Sequence, residues 1–228
     1  MSVRKIDYAI AAARLFAHRL PLPGLDRGAA LSFGNTFRVE QPFTDSPSTL
    51  DLALSGLPES VAAAGRRGEG EGTRLYDSLA DAVDYFARRA DPSRPWVLIA
   101  ATDGIDNASR TYDGAPRALG RHLATHFASR AATFPFLVGV GSGGQIDRRA
   151  LALVGAHGGF PALLIDAFPL LQEAFARLAL KVTRAVSATV VRGPGFVMSS
   201  VRPGVTVGRR PIDYAFLIDR SGSMNGQA

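Results

Sequence analysis

Short apolar runs alternate with amphipathic stretches along most of this chain. Apolar residues are nearly continuous in four runs, which predicts strands buried on both faces at 95–102, 134–140, 160–166 and 211–218. Elsewhere apolar residues recur at helical spacing, which predicts helices over 5–20, 48–56, 74–90, 115–131, 146–155 and 168–182. A strand pair at 27–34 and 36–43 is predicted around Gly34–Asn35. Ser48 is the predicted N-cap of its helix, and a polar loop is predicted at 64–72.

The alternation of strand and helix predicts an α/β fold. We expect a doubly wound, mostly parallel sheet with helices on both faces, and ligands at the carboxyl ends of its strands. After residue 183 the pattern becomes β-rich and is broken by Gly and Pro. Residues 184–208 therefore predict a small antiparallel segment that connects an α/β body at 1–183 to a last strand and loop at 209–228.

Composition excludes several classes of function. The 228 residues contain no cysteine, which excludes disulfides, zinc-thiolate sites and thiol catalysis. No apolar run approaches the ~20 residues that span a bilayer, and the first twenty residues lack the core of a secretory signal, so we expect a cytoplasmic protein without a membrane segment. The net charge is +6, but the arginines are scattered and do not form one stripe. This does not favour nucleic-acid binding, although an Arg-rich nucleic-acid adaptor stays an alternative.

Side chains with hard oxygen donors lie where two predicted strands end and where one predicted helix begins. Carboxylates and hydroxyls suit Mg²⁺, Mn²⁺ or Ca²⁺ and do not suit zinc or copper. Each residue also has a local interpretation as a turn, cap or loop residue, and only the conjunction favours a metal site. The candidate ligands are Asp219, Ser221 and Ser223 after the last strand, Asp103 after the strand at 95–102, and Thr73 before the helix at 74–90.

Three segments that carry these residues, "FLIDRSGSM", "GTRLYDSL" and "LIAATDG", resemble the motifs of the von Willebrand factor A domain. Together they resemble its metal-ion-dependent adhesion site. The resemblance implies that Ser221, Ser223 and Thr73 bind Mg²⁺ directly, and that Asp219 and Asp103 support the ion through water. It also implies a non-enzymatic module, in which an Asp or Glu of a partner protein completes the coordination.

The order of the three segments differs from that of the family, where the serine segment comes first. Joining "DRSGSMNGQA" to "RKIDYAIAAARLF" restores the family's order, so the sequence resembles a circular permutant. Residues 1–183 would then lack the first strand of the domain, and 209–228 would supply it. This strand could enter the sheet of its own chain, which we favour, or the sheet of a neighbouring molecule, which would give a strand-exchanged homo-oligomer.

A second motif supports a different interpretation. Gly139, Gly141 and Gly144 form a G-x-G-x-x-G pattern, and Asp166 follows 22 residues later, as in dinucleotide-binding sites. Against this, the predicted helix is short, the motif comes late in the chain, and Asp147 would lie where the pyrophosphate binds. A dinucleotide-binding enzyme stays an alternative.

Other candidate residues carry weaker signals. We expect His18, His122, His126 and His157 to form no metal-binding group, because "HLATH" lacks the glutamate of a zinc protease. Ser221 does not lie in a G-x-S-x-G sequence, so a hydrolase is not supported. Asp106 and Asn107 are predicted to be turn residues beside Asp103.

Overall fold

Helices and strands alternate through the structure, a computed structural model that describes residues 3–19, 25–66, 72–128, 133–140, 146–158, 162–178, 191–193, 196–198 and 211–226. The helices are α1 (Lys5–Arg19), α2 (Pro47–Arg66), α3 (Leu75–Arg89), α4 (Pro116–Ala128), α5 (Arg148–Gly158) and α6 (171–178). The strands are β1 (Arg27–Phe33), β2 (Phe37–Thr44), β3 (Trp96–Thr102), β4 (Thr133–Val140), β5 (Ala162–Ile165), β6 (Val191–Gly193), β7 (Phe196–Met198) and β8 (Asp213–Asp219). Short 3-10 turns cover Phe168–Leu170 and Gly222–Asn225.

Six of these strands form one sheet in the order β2-β1-β8-β3-β4-β5. β8 lies between β1 and β3 of its own chain and is parallel to both. β2 forms an antiparallel edge, and the other pairs are parallel. The predicted α/β class with a mostly parallel, doubly wound sheet is confirmed. β6 and β7 form a separate antiparallel pair within the predicted β-rich segment.

The two faces of the sheet are covered by different helices. Helices α1, α2 and α6 pack on one face, and α3, α4 and α5 pack on the other. On the first face the ring of Phe16 meets the ring of Phe216 edge-on at 5.6 Å. On the second face Phe86 lies 5.1 Å from Trp96. All seven residues of β8 are buried, as expected for a strand covered on both sides.

The start of β8 is fixed by buried charges. Asp213 is fully buried and accepts hydrogen bonds from the Arg27 guanidinium and from the backbone N–H of Asp91. One residue earlier, the Ile212 N–H donates to the carboxylate of buried Asp26 at 3.0 Å. Breaking one partner of such a pair leaves an uncompensated buried charge, so these contacts hold β8 in register with its neighbour β1.

The end of β8 leads directly to α1 in space. The backbone N–H of Lys5, the first residue of α1, donates to the carbonyl of Gly226 at 3.2 Å. Two distant parts of the sequence therefore form a continuous strand, turn and helix. In the described residues, no helix is long and apolar enough to cross a membrane.

Helix α2 is where the sequence prediction differs most from the structure. It begins at Pro47 and extends to Arg66, so residues 64–66 are helical and not part of a loop. The predicted cap at Ser48 is wrong: the hydroxyl of Ser46 accepts the Thr49 N–H at 3.3 Å and serves as the cap. The other predicted elements are present among the described residues, with ends shifted by a few residues. The predicted positions 20, 67–71, 129–131, 160–161 and 179–182 and most of 184–208 lie outside the described residues.

The packing of Phe216 makes a prediction about stability. Replacing Phe216 with Ala should lower the free energy of unfolding by about 3–5 kcal/mol, since a large ring leaves a cavity between α1 and the sheet. Urea denaturation followed by circular dichroism measures this change. Leu52→Ala is the matched control, because Leu52 is 75% exposed and should change stability by less than about 0.5 kcal/mol. Equal effects at both positions would contradict this description of the core.

Candidate metal site at the sheet edge

The predicted metal ligands come from two adjacent strands and one helix. β8 ends at Asp219, and its neighbour β3 ends at Thr102, directly before Asp103. The carboxyl ends of adjacent parallel strands lie at the same edge of a sheet, so the two aspartates are brought together. Thr73 precedes the first turn of α3 at this same edge.

Asp219 lies at the base of this region and is fully buried. Its Oδ2 accepts the hydroxyl proton of Thr102 at 2.6 Å, and its Oδ1 accepts the backbone N–H of Ser221 at 2.8 Å. Burial, which disfavours the charged carboxylate, raises the pKa of Asp219 to about 6, and the negative charge of Asp103 contributes in the same direction. A cation placed here would offset both effects.

The two serines connect the end of β8 to the end of β3. The hydroxyl oxygens of Ser221 and Ser223 lie 2.9 Å apart, and Ser223 donates to Oδ1 of Asp103 at 2.7 Å. The other oxygen of Asp103 accepts a hydrogen bond from the ammonium group of Lys5 at 2.8 Å. Hydroxyls and carboxylates thus form one connected cluster, in which Lys5 is a cation that the sequence did not suggest.

Thr73 lies beside this cluster and is buried. Its hydroxyl oxygen is so close to Gly104 that a Cβ atom at that position would lie 2.9 Å away. Gly104 is therefore required by close approach, and it places Thr73 next to Asp103. The structure thus brings all five predicted ligands to one edge of the sheet, and metal binding by them stays a prediction.

The loop after β3 caps the N-terminus of α3. The Asn107 side-chain oxygen accepts the N–H of Thr73 at 2.7 Å, and Asp106 accepts the N–H of Tyr76 at 3.1 Å. The Ser109 hydroxyl accepts the N–H of Asp77 at 3.0 Å. The first N–H groups of a helix lack intrahelical partners, so these contacts satisfy them. Asp106 and Asn107 are therefore long-range helix caps rather than only turn residues.

The same loop is held from the opposite direction by Asp77. Its two carboxylate oxygens accept the backbone N–H groups of Arg110, Thr111 and Tyr112 at 2.9–3.2 Å. Burial alone would raise the pKa of Asp77, but these hydrogen bonds, together with the positive charge of Arg74, lower it below the ordinary value. This reciprocal contact fixes Thr73 relative to Asp103.

Arg220 joins the loop after β8 to the turn between β1 and β2. Its side chain is almost completely buried, and Nη2 donates to the hydroxyl of Thr36 at 2.8 Å. Its backbone N–H donates to the carbonyl of Phe33 at 2.6 Å. A third loop is therefore attached to the site, and a buried cation lies in the segment between Asp219 and Ser221.

A polar groove of about 980 Å³ adjoins the N-terminus of α3. Its walls come from the turn after β1, the exposed face of α3 and the loop after β3. Three arginines and two aspartates give it a mixed charge. The lining residues are Asn35, Thr36, Phe37, Arg74, Asp77, Asp81, Arg88, Asn107, Ala108, Ser109, Arg110 and Thr111.

Two other sequence signals have structural explanations. A Cβ at Gly139 would lie 2.7 Å from a methyl group of Leu151, so close packing of β4 on α5 requires the glycine. Asp166 forms an ion pair with Arg148 at the start of α5. Gly141 and Gly144 of the proposed dinucleotide motif lie outside the described residues.

Two of the histidines lie in a group whose geometry could hold a metal ion, which the sequence analysis did not predict. His122 and His126 meet Asp84, and one potential ligand atom from each of the three lies within 4.8 Å of the others. Asp84 is 38 residues before His122 in the sequence, so no local motif could identify this group.

The sequence matches no family model and no curated protein, whereas the structure matches solved ones. One is described as "von Willebrand factor type A from Catenulispora acidiphila", with a TM-score of 0.56, 18% identity and 81% of this chain covered. This chain spans 39% of the length of that protein. Another is "conserved hypothetical protein BatB from Bacteroides thetaiotaomicron", with a TM-score of 0.54, 13% identity, and 78% of this chain and 87% of that chain covered. The chain described here therefore has the fold of von Willebrand factor A domains.

The contacts of Asp77 predict how the stability of this edge depends on pH. Because its pKa is lowered by folding, Asp77 contributes stability that is complete above the ordinary pKa of about 3.9 and is lost as the pH falls through the folded value. Asp77→Asn should cost about 1–3 kcal/mol at pH 7, since an amide places N–H groups against backbone donors. The difference between parent and variant should narrow below about pH 4, as measured by chemical denaturation across pH.

Asp81→Asn is the control for this measurement. Asp81 lies one turn further along α3, and its side chain is 39% exposed and paired with Arg74. Its replacement should cost less than about 1 kcal/mol, as is typical of exposed ion pairs. If the difference between the parent and the Asp77 variant did not change with pH, the assigned role of the carboxylate would be wrong.

Proposed function

We propose that this chain is a divalent-metal-dependent protein-binding module, in which Mg²⁺ binds at the sheet edge. The ligand set is Asp219, Ser221, Ser223, Thr73 and Asp103. The observation that carries the proposal is the hydrogen-bonded chain from Ser221 to Ser223 and from Ser223 to Asp103, which joins the ends of two strands. Hard oxygen donors suit Mg²⁺, and Mn²⁺ or Ca²⁺ would suit the same set.

Within this set, the contacts support different roles for hydroxyls and carboxylates. Asp219 already accepts a hydroxyl and a backbone N–H at its two oxygens, which suits a carboxylate that acts through water. Ser221, Ser223 and Thr73 would bind the ion directly. The hydroxyls of Ser221 and Ser223 contact each other, and that of Ser223 contacts Asp103, and the ion would replace these contacts.

The charge balance favours an acidic partner. Two carboxylates neutralise a divalent ion, so the ammonium of Lys5 and the guanidinium of Arg220 would leave the edge positively charged. Neutral hydroxyls do not remove this excess. An Asp or Glu side chain presented by a partner protein would supply both a negative charge and an oxygen ligand, and the adjacent groove of about 980 Å³ offers surface for the rest of the contact.

We also propose that the order of elements is a circular permutation within the von Willebrand factor A fold. Three features support it: β8 is the central strand, Lys5 is hydrogen bonded to Gly226, and both serines follow β8. Insertion of β8 into the sheet of its own chain is the arrangement proposed. A strand-exchanged homo-oligomer would show itself as a mass that changes with protein concentration in light scattering.

Binding rather than catalysis is proposed because the site lacks an activated nucleophile. The serines contact each other and Asp103, and the sequence around Ser221 has no G-x-S-x-G motif. A cytoplasmic location is part of the same proposal and rests on the sequence alone. Stabilisation by NAD without a response to Mg²⁺ would instead support the dinucleotide-binding alternative.

The proposed ligand set predicts a response to magnesium. Mg²⁺ should raise the melting temperature of the parent chain, since a ligand that binds only the folded state stabilises it. Thr73→Ala should remove this shift, and Asp219→Ala should do the same if the variant folds. Differential scanning fluorimetry with and without EDTA measures the effect. Thr125→Ala, a change at an exposed position of α4, is the matched control and should keep the full shift.

Partner binding provides the second part of this test. An acidic partner should bind the parent in Mg²⁺ and should lose binding in EDTA and in Thr73→Ala. Binding that survives both conditions would show that the metal does not mediate recognition. If Thr73→Ala retained the Mg²⁺ shift, the ligand set itself would be wrong.

The ion pair between Lys5 and Asp103 predicts that loss of Lys5 changes Mg²⁺ affinity and partner affinity in opposite directions. Lys5→Met should increase Mg²⁺ affinity several-fold, since the ammonium no longer holds the Asp103 carboxylate. The same change should weaken binding of an acidic partner, because it removes positive charge. Isothermal titration calorimetry measures both affinities. Arg4→Met is the control, because Arg4 pairs with Asp7 and is partly exposed, and it should change neither. Unchanged Mg²⁺ affinity in the Lys5 variant would contradict direct competition.

A further inference from the structure

Two histidines of α4 and one aspartate of α3 converge where these helices pack. Oδ1 of Asp84 lies 3.3 Å from Nε2 of His126 and 3.6 Å from Nε2 of His122. Both histidines therefore direct the same type of ring nitrogen at one carboxylate oxygen. All three side chains are between 28% and 37% exposed, which leaves a path from solvent.

The spacing of these atoms is that of ligands around a small tetrahedral ion. Bonds of 2.0–2.2 Å to nitrogen and oxygen in a tetrahedron place neighbouring ligand atoms about 3.3–3.5 Å apart. The two measured separations, 3.3 and 3.6 Å, are close to this value. The 3.6 Å separation of His122 from Asp84 is longer than the 2.7–3.2 Å of ordinary N–H···O hydrogen bonds.

The environment of His122 adds an independent observation. Its Nε2 atom is buried and makes no hydrogen bond to any of the residues that the structure describes. The imidazole packs 4.9 Å from the ring of His126 and 5.7 Å from the ring of Tyr112. These contacts fix the direction of the ring and point its buried Nε2 atom toward Asp84. Burying a polar atom without a hydrogen bond costs free energy, so this atom calls for an explanation.

We propose that Asp84, His122 and His126 form a second metal site that binds Zn²⁺. Two imidazole nitrogens and one carboxylate suit zinc and other late first-row ions, and they do not suit Mg²⁺. Three protein ligands leave a fourth position for water or a ligand from another molecule. This proposal does not depend on the function proposed for the sheet edge.

The two sites are separate in space and in chemistry. Asp84 lies nine residues after Leu75, which is about 14 Å along the axis of α3 from the helix start that Thr73 precedes. The sheet-edge donors described above are oxygen atoms, whereas this site has two nitrogen donors. Zinc bound here would link α3 to α4 through its bonds to Asp84, His122 and His126.

Calorimetric titration with ZnCl₂ tests the proposal in the full chain saturated with Mg²⁺. One Zn²⁺ should bind per chain. Affinity should fall by about a hundredfold or more in His126→Ala and in Asp84→Asn, since even changes outside the ligand shell cost 10–100-fold. His18→Ala is the matched control: His18 lies 3.4 Å from Asp51 but belongs to no such group of three among the described residues, and its loss should leave the affinity unchanged.

Two measurements on the unmodified chain keep the test independent of variant folding. Cobalt(II) should bind in place of zinc and give the visible absorption of a tetrahedral ion. Long-range ¹H–¹⁵N spectra should show zinc-induced changes at two of the four histidines. The proposal is wrong if no stoichiometric zinc binding occurs, if His126→Ala binds zinc as tightly as the parent, or if the changes fall on other histidines.

Discussion

The backbone pairing of β8 with β1 and β3 is the interaction on which the rest of the structure depends. β8 lies between these strands, and its seven residues contribute to the cores on both sheet faces. Its register partners are distant in sequence: Asp213 is paired with Arg27 on one side and with Trp96 on the other. Pairing residues so far apart in the sequence closes long loops, and this lowers the conformational entropy of the chain before the central sheet is complete.

The geometry of the candidate metal site depends on the pairing of β8. Asp219 is the last residue of β8, and Ser221 and Ser223 follow within four residues, so the serine hydroxyls reach Asp103 only when β8 is paired with β3. A cation bound there would stabilise the pairing itself, because unpaired β8 would not hold the ligands together. The contact of Lys5 with both Gly226 and Asp103 extends this coupling to the start of α1.

Sequence patterns predicted what is local and missed what is long-range. Continuous apolar runs identified β3 and β8, and the polar residues after them identified the site. The caps of α3 by Asp106 and Asn107 join residues about thirty apart, where both sides look like ordinary turn or helix residues. The Asp84 group was missed for the same reason, since only the packing of α3 against α4 brings it together. Helix α2 was predicted too short, since it continues through Pro58 to Arg66.

The polar contacts of helix α3 differ between its two ends. At its N-terminus, helix N–H groups and the Asp77 carboxylate hold the loop after β3, and Asp77 and Ser109 are buried there. Toward its C-terminus, the Asp84 carboxylate lies 3.3 and 3.6 Å from the Nε2 atoms of two imidazole rings. The first end is stabilised by groups already present in the chain. In the proposed zinc site, an added cation would satisfy the donors of the second end better than they satisfy one another, so the two ends would differ in what they require from solution.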